Sequence, residues 1–280
     1  MNTVSLSETC QVLFLSLVEG ITEWLPVSST GHLLLFGGWV TISSFSEPFF
    51  NLFLYVIQLG AILAVPTLYA RNSPLFALRR NGIGSTLSLW RPILFGVIPA
   101  AVAGLLLDDA LDRFLGDALR VRVVAFALLF YGVLFLLPRR RALVDDYRSI
   151  GSGRALGIGL FQVLSILPGT SRSGSCLLGG RALGVSDGAA AEFSFFMAIP
   201  VMVGVSTLKI AKFAARAAAG TPGYEVAPRA WALLLLGFLV SYLVSLPVIR
   251  ALVGLVRRYG LFPFGVYRIA LGAAILIWGR

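Results

Sequence analysis

Two short stretches concentrate the side chains able to do chemistry. The first, Glu19-Gly-Ile-Thr-Glu23-Trp-Leu-Pro-Val-Ser-Ser-Thr-Gly-His32, carries two carboxylates, the hydroxyls of Ser28, Ser29 and Thr30, and the single histidine of the chain. Glu19 and Glu23 are spaced i, i+4 and share one face of a helix. Like charges there repel, so a cation is expected between or beside them, either a divalent metal ion or Arg172; the alternative is a carboxylate pair that reaches interfacial water. Hydroxyls, histidine and carboxylates together supply a nucleophile, a base and a group to orient it, although a lone histidine in an apolar chain is also a common structural residue.

The second stretch, Gly169-Thr-Ser171-Arg172-Ser173-Gly-Ser175, combines glycines, hydroxyls and one arginine just before an apolar helix resumes. Amides exposed at a helix N-terminus, together with a guanidinium, form an anion site suited to phosphate. Gly169, Ser171, Arg172 and Ser173, with Ser28 and Thr30 from the first stretch, are the expected phosphate-binding residues.

Both stretches interrupt apolar sequence. Unbroken apolar runs at 49–70, 92–107, 121–138, 190–208, 230–249 and 262–279 read as six membrane crossings, since a bilayer core takes ~20 mostly apolar residues. Regions 11–40 and 155–186 are instead broken near their middles by Pro26 and Pro168 and clusters of small hydroxylated residues. Non-helical backbone survives at membrane depth only where protein or water satisfies it. Both regions are therefore expected to be re-entrant helix-loop-helix hairpins. The two prolines are 142 residues apart, about half the chain, which points to a duplication within a single membrane domain spanning 1–280, with repeats of about 1–140 and 150–280. Each repeat holds one hairpin and three crossings, and an odd number of crossings inverts the second copy. The expected fold class is an all-α polytopic membrane protein built as inverted-topology repeats.

Charge fits this layout. Loops 71–91, 139–154, 181–189 and 250–261 hold 13 arginines against three acids, whereas the opposite side carries eight bases and seven acids. The positive-inside rule makes the first side cytoplasmic and puts both termini outside. The 25–32 loop then enters from outside and the 167–174 loop from the cytoplasm, so that they can meet, and an outward-facing site is favoured.

The composition agrees. Of 280 residues 58% are hydrophobic and 13% charged, against a globular norm of ~45–50% and ~25%. A soluble enzyme, a disordered chain, a collagen-like or coiled-coil protein and a disulfide scaffold are all excluded. The net charge of +10 would suggest nucleic acid on a soluble protein; here an anionic membrane surface accounts for it, and no nucleic-acid partner is expected. Residues 1–10 lack the basic segment that opens a signal peptide. Cys10 and Cys176 have no metal-ligand spacing and are expected to be packing residues.

Removing the loop charges leaves Glu19, Glu23, Glu192, Arg172 and Arg268 inside the membrane, with His32 beside them. Mid-bilayer charges cost ~2.5–3.5 kcal/mol each and mark function by default. Glu192 is expected near the interface as a helix N-terminal acid, or else beside Arg172; Arg268 is expected to snorkel outwards. A transporter is the rival reading on these grounds alone, since inverted repeats with broken helices are a transporter architecture.

The two stretches, together with the repeat spacing, the Glu192-Phe-Ser-Phe segment and the Phe262-Pro-Phe-x-x-Tyr-Arg268 ending, resemble the bacterial undecaprenyl-diphosphate phosphatases of the bacitracin-resistance type, over the whole chain. The resemblance implies an inner-membrane hydrolase that removes the terminal phosphate of undecaprenyl diphosphate and recycles the lipid carrier for peptidoglycan synthesis. It implies a divalent cation, Mg²⁺ or Ca²⁺, at the Glu19/Glu23 pair, and a polyprenyl diphosphate partner among membrane lipids, with a homodimer allowed. By this likeness His32 is the family histidine, Ser29 the nucleophile and Ser171, Arg172 and Ser173 the phosphate-binding run; His32 as nucleophile is the alternative. One departure is Cys176, where the family usually has Thr.

Overall fold

In the computed structural model, which describes residues 6–37, 40–70, 78–138 and 141–278, the described residues form ten α-helices and one isolated parallel bridge, Val144 to Val185. The helices are α1 (Leu6–Thr22), α2 (Ser29–Gly37), α3 (Glu47–Tyr69), α4 (Leu78–Phe114), α5 (Asp117–Leu136), α6 (Ser152–Val163), α7 (Arg172–Ala182), α8 (Asp187–Ala218), α9 (Pro228–Tyr259) and α10 (Phe262–Trp278). In lipid each backbone polar group must find its partner within the chain, and an uninterrupted helix does this residue by residue.

Five stretches are long and apolar enough to cross a bilayer: α3, Thr86–Leu107 of α4, Leu119–Leu136 of α5, α8 and α9. The protein is thus a multi-pass membrane protein. The sequence placed a sixth crossing at 262–279, but α10 has 17 residues and is shorter than the other five. Three helices outrun their apolar runs: α4 has 37 residues, and α8 and α9 have 32 each. Hydropathy detects only the part of a helix that lipid covers. The Arg, Asp and Lys residues at its ends mark the interface without ending the helix.

Of the charges used to orient the chain, Arg71, Arg139, Arg140 and Arg280 lie outside the described residues, as do the side chains of Arg79, Arg80, Asp108, Asp109, Asp112 and Asp117. In the 139–151 segment, Arg148 Nε donates to both oxygens of Asp146 at 3.0 and 2.9 Å, which holds that carboxyl below the usual carboxylate range. Arg181 grips Asp187 through Nε at 2.7 Å and Nη2 at 2.9 Å, tying the end of α7 to the start of α8.

The two interruptions fall where the sequence placed them. A proline disfavours helix at the residue before it and brings no amide of its own, so α1 stops at Thr22, ahead of Pro26, and α6 gives way to a short 3₁₀ turn, Leu164–Ile166, ahead of Pro168. Ser28 then opens α2, and Ser171 opens α7, each accepting a hydrogen bond from the amide of a glycine, Gly31 at 3.3 Å and Gly174 at 3.2 Å. Gly169 is required between them: its φ is +91°, and a Cβ there would lie 2.7 Å from the backbone of Val124 in α5.

Around these breaks α1 packs on α9, α4 on α6, α3 on both α8 and α9, and α5 on α10. The last pair is closely apposed through small residues: a Cβ on Gly265 would meet Gly132 O at 2.8 Å, and one on Gly272 would meet Ala125 O at 3.0 Å. Small residues let helices approach where lipid removes the hydrophobic drive to associate. The main core cluster runs from Trp24 through Ala61, Ile62 and Val65 to Phe193, Phe195 and Phe196, with Trp24 set edge-on to Phe195 at 5.2 Å between centroids. Cys176 is buried as expected, but Cys10 is exposed; it lies on the outer face of α1, beside Leu13, Phe14 and Leu17, all likewise exposed.

Candidate active site

Glu19 lies in the last turn of α1, 1% exposed, and neither of its carboxylate oxygens accepts a hydrogen bond from the described residues. One turn on, the Glu23 amide donates to Glu19 O at 2.9 Å, so the helical path continues far enough to keep both carboxylates on one face. Arg172 is the first residue of α7, and its guanidinium points at this face. Nη2 donates to Glu23 Oε1 at 2.8 Å and Nη1 to the Ser194 carbonyl of α8 at 3.1 Å, with Met202 Sδ 3.8 Å from Nη2. Side-chain exposure is 12% for Arg172 and 9% for Glu23, so the pair is shielded from water and little screened. Ser29, the first residue of α2, donates to the other oxygen of Glu23 at 3.4 Å. Residues separated by 149 positions thereby form one constellation of hydroxyl, carboxylate and guanidinium.

The remaining predicted residues divide. Ser171 and Ser173 join the cluster, their hydroxyls 3.1 Å apart, and Ser173 Oγ donates to Leu25 O at 3.2 Å, a second direct link between the loops. Ser28 and Gly169 serve the loops themselves, Ser28 as the cap of α2 and Gly169 through its conformation. Thr30 is exposed. His32 is buried and held at both nitrogens, Nδ1 2.7 Å from Ser28 O and Nε2 2.7 Å from Tyr267 Oη, with the two rings nearly parallel at 5.6 Å. A carbonyl only accepts, so the neutral ring carries its proton on Nδ1, and Nε2 accepts from the tyrosine hydroxyl. It is therefore Glu23, rather than His32, that touches the Ser29 hydroxyl.

Of the other two intramembrane charges, Glu192 stands near the N-terminus of α8, as expected, and Arg268 departs from expectation. Glu192 accepts from Arg257 Nη2 at 3.2 Å and from Tyr69 Oη at 3.3 Å, so it does not support Arg172; the Ser194 carbonyl does. Arg268 does not snorkel. It is 0% exposed and donates to Pro26 O at 3.1 Å and Gly169 O at 2.9 Å, because α10 lies along α5 and turns this residue towards the loops. Tyr267, which the sequence marks only as part of the Phe262–Arg268 ending, and Gln162, which it does not mark, also belong here: Gln162 Oε1 accepts from Cys176 Sγ at 3.3 Å in the interior behind the second loop. The available signal was Arg268 itself, a charge in an apolar run with no polar neighbour but Tyr267.

Two carboxylates with buried, unengaged oxygens on Glu19 are an all-oxygen donor set for a hard cation. No group of three or more His, Cys, Asp or Glu side chains forms among the described residues. Such a pair suits Mg²⁺, which commonly keeps several waters and takes one or two carboxylates together with substrate phosphates.

Fold and site define a polytopic membrane protein in which an arginine at the head of one interrupted helix faces a carboxylate–hydroxyl pair from the other, inside the helix bundle. The family model described as bacitracin resistance protein BacA matches residues 12–274, and the chain belongs to that family. It is 41% identical to undecaprenyl-diphosphatase 1 of Clostridioides difficile (strain 630), over 99% of this chain and 98% of that protein. It is 43% identical to an undecaprenyl-diphosphatase of Lacticaseibacillus paracasei, over 95% and 97% of the two chains, and 40% identical to one of Enterococcus faecalis, over 96% of each.

Proposed function

We propose that this protein hydrolyses undecaprenyl diphosphate to undecaprenyl phosphate and inorganic phosphate, recycling the lipid carrier of cell-wall synthesis, with the chemistry at Glu23, Ser29 and Arg172. The meeting of these three side chains from two distant loops carries the reading, and the family membership agrees with it. The diphosphate docks against Arg172 and the amides of residues 169–175, while the polyprenyl tail lies among membrane lipids along the apolar surface. Ser29 Oγ attacks the terminal phosphorus as Glu23 accepts the hydroxyl proton. The bond to the bridging oxygen breaks, and undecaprenyl phosphate leaves. Water then cleaves the phosphoserine. Ser29 is favoured over His32 as nucleophile because its hydroxyl already faces a carboxylate, whereas both His32 nitrogens are engaged. Arg172 neutralises charge on the transferring phosphoryl group. A divalent cation, Mg²⁺ or Ca²⁺, held by Glu19 and Glu23, would supply further charge neutralisation at the phosphates.

Inverted repeats of about 1–140 and 150–280, each opening with a re-entrant hairpin, are the architecture that best accounts for the packing. Under such a repeat α1 corresponds to α6, α3 to α8, α4 to α9 and α5 to α10. The pairing of α1 with α9 is then mirrored by α6 with α4, and that of α3 with α9 by α8 with α4. The close approach of Gly132 to Gly265 likewise mirrors that of Gly272 to Ala125. On the charge asymmetry the 25–32 loop opens outwards, and the site is reached from that side. Labelling of a Thr30→Cys variant in a Cys10→Ser background by an impermeant thiol reagent tests this: labelling in intact cells is expected, and labelling only after permeabilisation overturns it.

The activity is tested by phosphate release from a polyprenyl diphosphate by detergent-solubilised protein, with and without chelator. Release that the chelator suppresses is expected, with Arg172→Ala and Glu23→Ala inactive. No release from folded protein, or full activity in both variants, overturns the assignment. Trapped label on His32 instead of Ser29 overturns the choice of nucleophile.

A further inference from the structure

Arg268 is a fully buried cation that no carboxylate pairs with among the described residues. Its guanidinium sits 5.5 Å from the centroid of the Tyr131 ring and 5.3 Å from that of Phe135, both on α5. From there its fork reaches one carbonyl in each interrupted helix, Pro26 O and Gly169 O, at 3.1 and 2.9 Å. Those carbonyls belong to backbone that the prolines have taken out of helical pairing, and they need donors at membrane depth.

Three polar links join the loops: Glu23 to Arg172, Ser173 to Leu25 O, and the Arg268 fork. On the reading of the site given above, the first must open when a diphosphate takes Arg172. The Arg268 fork takes the carbonyls of Pro26 and Gly169, not the amides that face the phosphates, and bonds to neither Arg172 nor Ser29, so docking leaves it in place. We propose that Arg268 is a positioning residue for the phosphatase reaction, whose forked guanidinium ties Pro26 O to Gly169 O and keeps Ser29 in register with Arg172 after the Glu23–Arg172 pair has opened. A lysine carries the charge on a single point and cannot reproduce a planar fork that grips two carbonyls at once. The substrate is held by one loop and attacked from the other, so loss of register slows the chemical step more than it weakens docking.

The test compares kcat, KM and melting temperature of Arg268→Lys and Arg268→Gln with the parent, with Arg172→Ala as control. Expected is a fall in kcat of about 30- to 100-fold with KM kept within about threefold, since small misplacement of reacting groups is costly while ground-state binding is retained. Parent-like kcat per folded molecule in either variant, or a rise in KM that accounts for the whole loss, overturns the proposal. Should both variants fail to fold, Phe135→Leu carries the test, because it keeps the cation and removes a ring that orients it. A several-fold lower kcat at unchanged KM then supports the role, and unchanged kcat overturns it. If Arg172→Ala remains active, the site assignment fails instead.

Discussion

Ser28 and Ser171, 143 positions apart, are the two non-glycine residues among those described that hold a left-handed backbone, at φ 72° and 74°. Each accepts a hydrogen bond from the amide of the glycine three positions on, so one strained turn with one cap opens both α2 and α7. Non-glycine residues in such conformations cost on the order of 1–3 kcal/mol and persist where the surroundings over-determine them. The strain lies at the two points from which Ser29 and Arg172 depart.

Glycine at either position relieves that strain and sacrifices only a few tenths of a kcal/mol as a cap, whereas alanine keeps the strain and loses about 1 kcal/mol of capping. Thermal melting is therefore expected to rank Ser28→Gly and Ser171→Gly at or above the parent, and the alanine variants below it. An alanine variant more stable than its glycine counterpart contradicts this account.

The Glu23–Arg172 pair is expected to be sensitive to shape as well as charge. Glu23→Gln keeps the size but removes the carboxylate proposed to accept the Ser29 proton, and loss of a positioned base costs about 10²- to 10⁴-fold in rate. Arg172→Lys loses the fork that serves Glu23 and Ser194 O together, and a comparable fall in phosphate release is expected. Steady-state assays of purified variants check both; near-parental rates in Arg172→Lys would show that a point charge suffices.

Tyr267 fixes the orientation of His32. Removing its hydroxyl in Tyr267→Phe loses one neutral hydrogen bond, about 0.5–1.5 kcal/mol, and kcat is expected to fall by roughly two- to tenfold, less than in His32→Ala. Equal losses in the two variants, measured side by side, would mean that the hydroxyl does more than hold the ring.

Cys176 donates to a buried glutamine. Cys176→Val leaves Gln162 Oε1 without its donor at 1% residue exposure and is expected to destabilise by about 1–3 kcal/mol. Cys176→Ser and Cys176→Thr keep a donor, and a stronger one than the thiol. Chemical or thermal melting should place both above the valine variant.

Much of this molecule is readable along the chain because a bilayer leaves the backbone few options. Apolar runs in lipid become helices, and Pro26 and Pro168 among small hydroxylated residues become breaks. The i, i+4 spacing puts Glu19 and Glu23 on one face, and the glycine–hydroxyl–arginine run at 169–175 puts Arg172 at the head of the helix that resumes there. Helix ends were less readable, since α4, α8 and α9 continue through charged interfacial residues that hydropathy treats as loop. The partners were not readable at all. That Arg172 meets Glu23, across 149 positions of chain, is visible only in the tertiary structure. Arg268, expected to reach outwards, points inwards to a carbonyl 242 positions away, and Glu192 turns to Arg257. Periodicity determines which residues share a face of a helix. What that face meets depends on which helices become neighbours and how each is rotated about its axis, and those are decided only when the whole bundle packs.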